Sequence, residues 1–197
     1  MKNNKSKKIA QYSAIALAAA TVLPMACKKE ATEADDPNIV HRDLNKTIFI
    51  ASSTNVVDTI DIDLDGIFDV GFAIYSSATS IVSIVAGLHN STGIYCDTAT
   101  AGGSTKFVNG ANAGFTAESI YSSSKWKNIG AIDIQNSTKT GGLSGQGDKY
   151  ISFAHRTGLK LFNGWLKLNL STDRKTLVLK DLAYSVLPAT PIKTGAK

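Results

Sequence analysis

The chain has 197 residues and a mass of 20.8 kDa, with 43% hydrophobic and 19% charged residues, enough apolar material for one domain core and too much for a chain disordered throughout. Its formal net charge is +5, but four of the 21 basic residues precede Cys27, which leaves 17 against 16 acidic ones and a net of +1. With that near balance, the pI of about 9.1 gives no support for a nucleic-acid partner, and none is expected.

Residues 1–26 have a basic start (Lys2, Lys5, Lys7, Lys8), an apolar run over 13–25 and a small Ala26 before Cys27. These are the three parts of a secretory signal peptide, and the run is shorter than the roughly 18 apolar residues of a membrane-spanning helix. Leu23-Pro24-Met25-Ala26-Cys27 resembles a bacterial lipobox, with Pro24 where Leu or Val is usual. The resemblance implies that Cys27 becomes the lipidated first residue of an exported protein, a partner of the membrane through that anchor. The cysteine count agrees, because Cys96 is the only other cysteine and would have no disulfide partner.

Residues 27–45 read as a charged tether, with Lys28, Lys29, Glu30, Glu33, Asp35 and Asp36 and no periodicity. A Cys followed by Lys and acidic residues looks like the signal that sends Bacteroidetes lipoproteins to the outer face of the outer membrane, so an outer-membrane, surface-exposed location is expected. Asp58-Thr59-Ile60 and Asp97-Thr98-Ala99 resemble the O-glycosylation triplet of those bacteria.

From residue 46 to 190 the apolar pattern has period two, which predicts an all-β domain, with 191–197 as a tail. Ile48 and Ile50, then Val56, Ile60 and Ile62, then Phe68, Val70, Phe72 and Ile74 mark the first three strands. Further strands are predicted at 81–88, 129–135, 150–155, 159–170 and 176–186, with long loops around short strands over 97–128. A single antiparallel β-sandwich is expected, with a partly open barrel as the alternative. Leu177 and Leu179 share one phase and Leu182, Tyr184 and Val186 the other, so a bulge is expected near Lys180 and Asp181. The last three strands, with Gly164-Trp165 and Ala183-Tyr184, resemble the closing part of uncharacterised secreted β-rich proteins, a resemblance of about forty residues that implies no activity.

Asp61-Ile62-Asp63-Leu64-Asp65-Gly66-Ile67-Phe68-Asp69 reads as a hairpin. A three-residue loop of Leu64, Asp65 and Gly66, with Gly66 left-handed, pairs Ile62 with Phe68 and Ile60 with Val70. It sets Asp61 opposite Asp69, and something must neutralise facing carboxylates. Calcium suits Asp61, Asp63, Asp65 and Asp69, although Phe72 stands where an EF-hand has its bidentate Glu; the alternative is a solvated acidic tip.

Enzyme motifs are scarce. His41, His89 and His155 lack a second His or Cys at metal-ligand spacing, Gly142-Leu143-Ser144-Gly145-Gln146 lacks the final Gly of a nucleophile elbow, and Glu118 is the only Glu of the domain. Three functions follow as expectations. The first is a non-enzymatic, membrane-anchored envelope protein that presents a β-domain for interaction or adhesion. The second is a carbohydrate-binding module with Trp126 or Trp165 as stacking platforms and structural calcium. The third is a hydrolase using His155 or His89 with a Ser or Asp.

Overall fold

The computed structural model describes residues 36–51, 54–117 and 123–197. Cys27, the segment before it and Glu118 lie outside them. The described chain is all-β, with twelve strands: β1 (Ile39–Phe49), β2 (Asn55–Ile60), β3 (Val70–Ser76), β4 (Ile81–Gly87), β5 (Thr92–Gly102), β6 (Thr105–Val108), β7 (Trp126–Lys127), β8 (Ile129–Gln135), β9 (Thr140–Gly142), β10 (Asp148–Thr157), β11 (Lys160–Leu170) and β12 (Thr176–Ser185).

Pairing runs unbroken in the order β1-β12-β11-β10-β5-β6-β8-β4-β3-β2, with β7 beside β5 and β9 beside β8. Of the two architectures expected, the partly open barrel matches this path better than a sandwich of two separate sheets. The sheet is also not purely antiparallel, because β6 and β8 run parallel (Lys106 to Gly130, Phe107 to Ala131). Strand β5 makes the continuity possible by changing partner along its length, pairing with β10 through Thr92 to Ile94 and with β6 from Cys96 onward.

The two edge strands face each other across the remaining seam, where side chains replace the missing ladder. Lys46 Nζ donates to Asp58 Oδ1 and to the Thr59 carbonyl, each at 2.8 Å, and the Arg42 guanidinium donates to the Asp61 carbonyl. Cationic donors on one edge therefore cover acceptors on the other, which protects edges that would otherwise pair with another chain.

Inward-facing residues of both halves form one apolar interior, including Ile48, Ile60, Phe72, Ile94, Phe153, Leu166 and Leu179. Gly164 is required there: a Cβ at this position would lie 2.2 Å from the Phe153 ring, so the aromatic side chain packs directly on the β11 backbone. The expected β12 bulge is present. Lys167 pairs with Asp181 and Leu168 with Leu179, leaving Lys180 over, and Leu177, Leu179 and Leu182 all reach the interior.

Two boundaries differ from expectation. Strand β1 starts at Ile39, pairing with Ser185, so 39–45 belong to the sheet and not to a tether. The terminal segment is docked: Thr194 is buried, its Oγ1 donates to the Asn112 carbonyl at 2.6 Å, and the Asp36 N–H donates to a Lys197 oxygen at 2.8 Å.

Candidate functional site

The strand registers define the two ends of the barrel. Ile39 pairs with Ser185, Ile60 with Val70, Val70 with Gly87, Ala86 with Ile129, Thr92 with His155 and Thr157 with Lys160, which gathers loop 61–69, turn 88–91, turn 158–159 and the entry at Asp36 at one end. The acidic loop lies there.

The predicted register holds as far as Ile60–Val70, and Gly66 is left-handed at φ +90° as expected. Beyond that pair the ladder stops, and the expected pairing of Ile62 with Phe68 does not occur: Ile62 is buried whereas Phe68 is 53% exposed. The reason is that carboxylates take the loop's N–H groups in place of a facing strand. Asp61 accepts from Leu64 N–H (2.7 Å) and Gly66 N–H (2.8 Å), Asp65 from Ile67 N–H (2.8 Å), and Asp69 from Ile62 N–H (2.7 Å).

Asp61 and Asp69 therefore do not face each other. Asp61, Asp63 and Asp65 keep carboxylate oxygens within 4.8 Å of one another, while Asp69 turns inward to a second group with Asp63 and His155. His155, on β10, is 3% exposed. Its Nδ1 lies 3.1 Å from Thr92 Oγ1 and 3.5 Å from Asp69 Oδ1; its Nε2 lies 3.0 Å from Thr157 Oγ1 and 3.4 Å from Asp63 Oδ2. Burial works to raise the Asp63 carboxyl, but the Thr157 hydroxyl and His155 outweigh it and hold it below the usual carboxylate range. For Asp69 burial prevails over the Ile62 N–H and His155, with Asp63 and Asp61 adding repulsion, and the carboxyl is pushed up.

The group joins a hydroxyl, an imidazole and a carboxylate, as an acyl-transfer site does, but with the opposite hydrogen-bond direction. Thr157 Oγ1 donates to Asp63 at 2.9 Å, so its oxygen receives a hydrogen from His155 Nε2. A nucleophile needs the reverse, with the hydroxyl donating to an unprotonated Nε2. The arrangement instead pins the loop to β10 through a network whose members satisfy one another. His41 forms a further group with Asp43 and Asp181, whereas His89 is exposed in turn 88–91. Neither carboxylate partner of His155 was legible in the sequence, since Asp63 is 92 residues away.

The two tryptophans part company. Trp165 is 1% exposed, packed edge-on against Tyr150 at 5.1 Å with the His41 ring at 6.0 Å, and so is excluded as a stacking platform. Trp126 is half-buried, edge-on to Tyr95 at 5.1 Å, and lines a surface pocket of about 290 Å³ with Asn90, Asn128, Arg156 and Leu161. Cys96 is a buried free thiol, pushed up to about 12 by burial and by Asp97, which makes it unreactive.

Searches of protein-family models, curated proteins and solved structures find no match to this chain.

Proposed function

We propose that the protein is an exported lipoprotein of the bacterial outer membrane, anchored at Cys27, whose barrel is a non-enzymatic binding module for a glycan or protein ligand. One observation carries the anchoring: the basic, apolar and small-residue segments end at Cys27, and nine residues later, at Asp36, the chain enters a domain with its own apolar interior. The Cys placed directly after the small residue is what separates a lipidation signal from a plain export signal. Palmitate labelling of the full chain in an expressing bacterium tests it. Label and membrane fractionation are expected for the parent and for Cys96→Ser and lost in Cys27→Ser; a soluble, unlabelled parent contradicts the proposal.

The ligand reading rests on the Trp126 pocket, where an aromatic ring stands beside Asn90, Asn128 and Arg156, the mix of stacking face and polar groups that suits a sugar ring. Acrylamide quenching should resolve two tryptophan populations, an accessible one lost in Trp126→Phe and a shielded one belonging to Trp165. Two equally shielded tryptophans would remove Trp126 as a platform. Calcium at Asp61, Asp63 and Asp65 is a second reading, favoured by the closeness of their oxygens. It predicts a rise in melting temperature with calcium that chelator reverses and Asp61→Asn with Asp65→Asn abolishes.

A further inference from the structure

We infer that the end of the barrel at which the chain enters is a membrane-docking surface, whose loop tips Leu64, Ile67, Phe68 and Leu159 dip into the bilayer that holds the anchor; the inference rests on the lipoprotein reading and adds an orientation and a lipid contact to it.

The two ends differ in what their loops expose. At the entry end Leu64 is 71% exposed, Ile67 55%, Phe68 53% and Leu159 fully exposed, with Ile129 and Leu187 beside them in the fold. The loops of the far end read Ser-Ala-Thr-Ser at 77–80, Asn-Ser-Thr-Lys at 136–139 and Ser-Thr-Asp-Arg-Lys at 171–175, without one large apolar side chain. Phe49, Val57 and Tyr75, all on strands and none on a loop tip, are the far end's exposed large apolar residues among those described. Scattered apolar residues need no explanation, but a set concentrated on loop tips at one end does.

The acidic loop is built inside out for a loop that faces water. Its Asp61 and Asp69 carboxylates, and the exposed Asp65, are taken up by backbone N–H groups, and Ile62 alone of its apolar side chains is buried while Leu64, Ile67 and Phe68 point outward. Leu64 is held left-handed at φ +63°, a conformation unfavourable for a branched side chain, and the bond from its N–H to Asp61 maintains it. Lys160, exposed, adjoins the Leu159 tip and suits anionic headgroups.

Tether length selects this end. Nine residues separate Cys27 from Asp36, a reach of about 30 Å at full stretch. To set the far end on the bilayer, the tether would have to run back beside β1, whose 11 residues extend for about 35 Å. The near end meets the membrane with slack to spare, and shallow insertion of apolar side chains beside basic ones is how peripheral surfaces add to a lipid anchor.

The test uses the acylated full chain in phosphatidylethanolamine and phosphatidylglycerol vesicles containing nitroxide-labelled lipid. A fluorophore is attached at Leu159→Cys or, at the far end, Ser137→Cys; both positions are exposed, and buried Cys96 stays unlabelled. Quenching and a blue shift are expected at 159 and not at 137, and adding Leu64→Asn and Phe68→Asn should reduce the effect at 159. Equal, weak quenching at both positions in protein that floats with the vesicles overturns the docking while leaving the anchor intact. Absence of acyl label on the same preparation overturns the anchor; the comparison of 159 with 137, repeated on that chain mixed with vesicles, then decides docking alone.

Discussion

Asp61 and Asp69 show how little a residue's type says about its role until its neighbours are known. Asp61 caps two N–H groups of its own loop, so Asp61→Ala should cost about 1 kcal/mol, read as a lower urea midpoint, and Asp61→Asn should cost less. Asp69 is buried with its carboxyl pushed up, burial being the main cause, so the fold binds that proton more tightly than the unfolded chain does. Its contribution is therefore fully present below the unfolded carboxyl value of about 3.9 and is lost as pH rises through the folded value. Asp63 and Asp148 act in the other sense: their stabilisation is present above the unfolded value and lost as pH falls through their lowered ones, about 2 for Asp148, which Lys180 and Asn169 hold down. Asp69→Asn keeps an acceptor for the Ile62 N–H and removes the buried charge. Relative to the parent, its urea midpoint should rise as pH increases above about 4; parallel curves would show that Asp69 is not the group responsible.

At the scale of elements, what was legible is what alternation and turn chemistry encode. Val70, Phe72 and Ile74 announced β3, and the phase break between Leu179 and Leu182 announced the β12 bulge, because a strand buried on one face has to resolve such a break. Strand β5 was hidden: Thr-Gly-Ile-Tyr-Cys-Asp-Thr-Ala-Thr-Ala-Gly has weak alternation because its two halves serve different partners. The start of β1 was hidden too, since an edge strand carrying Arg42, Asp43 and Lys46 looks like a charged tether. The His155 network depended on pairing β5 with β10, which no local pattern reports. One long-range link has a measurable consequence. Arg174 in the turn before β12 pairs with Asp133 of β8, which is 1% exposed and also accepts from Ser144 N–H at 3.1 Å. Arg174→Ala leaves that carboxylate buried without its cation and should cost about 3–5 kcal/mol in chemical denaturation; a loss below about 1 kcal/mol, the range of exposed pairs, would mean that water replaces the arginine.

For the whole molecule, the barrel gathers its apolar side chains inward, the reverse of a barrel whose strands face lipid, so the membrane contact we propose falls to Cys27 and the loop tips. Side chains cover the seam between β1 and β2, whereas the short strands β7 and β9 each pair with one neighbour only. The proposed anchoring and docking depend on the fate of Cys27, which mass spectrometry of the protein isolated from membranes measures directly. The mature chain is expected to begin at Cys27 and to carry acyl groups there. A chain that begins elsewhere, or that carries Cys27 as a free thiol, would contradict the anchoring.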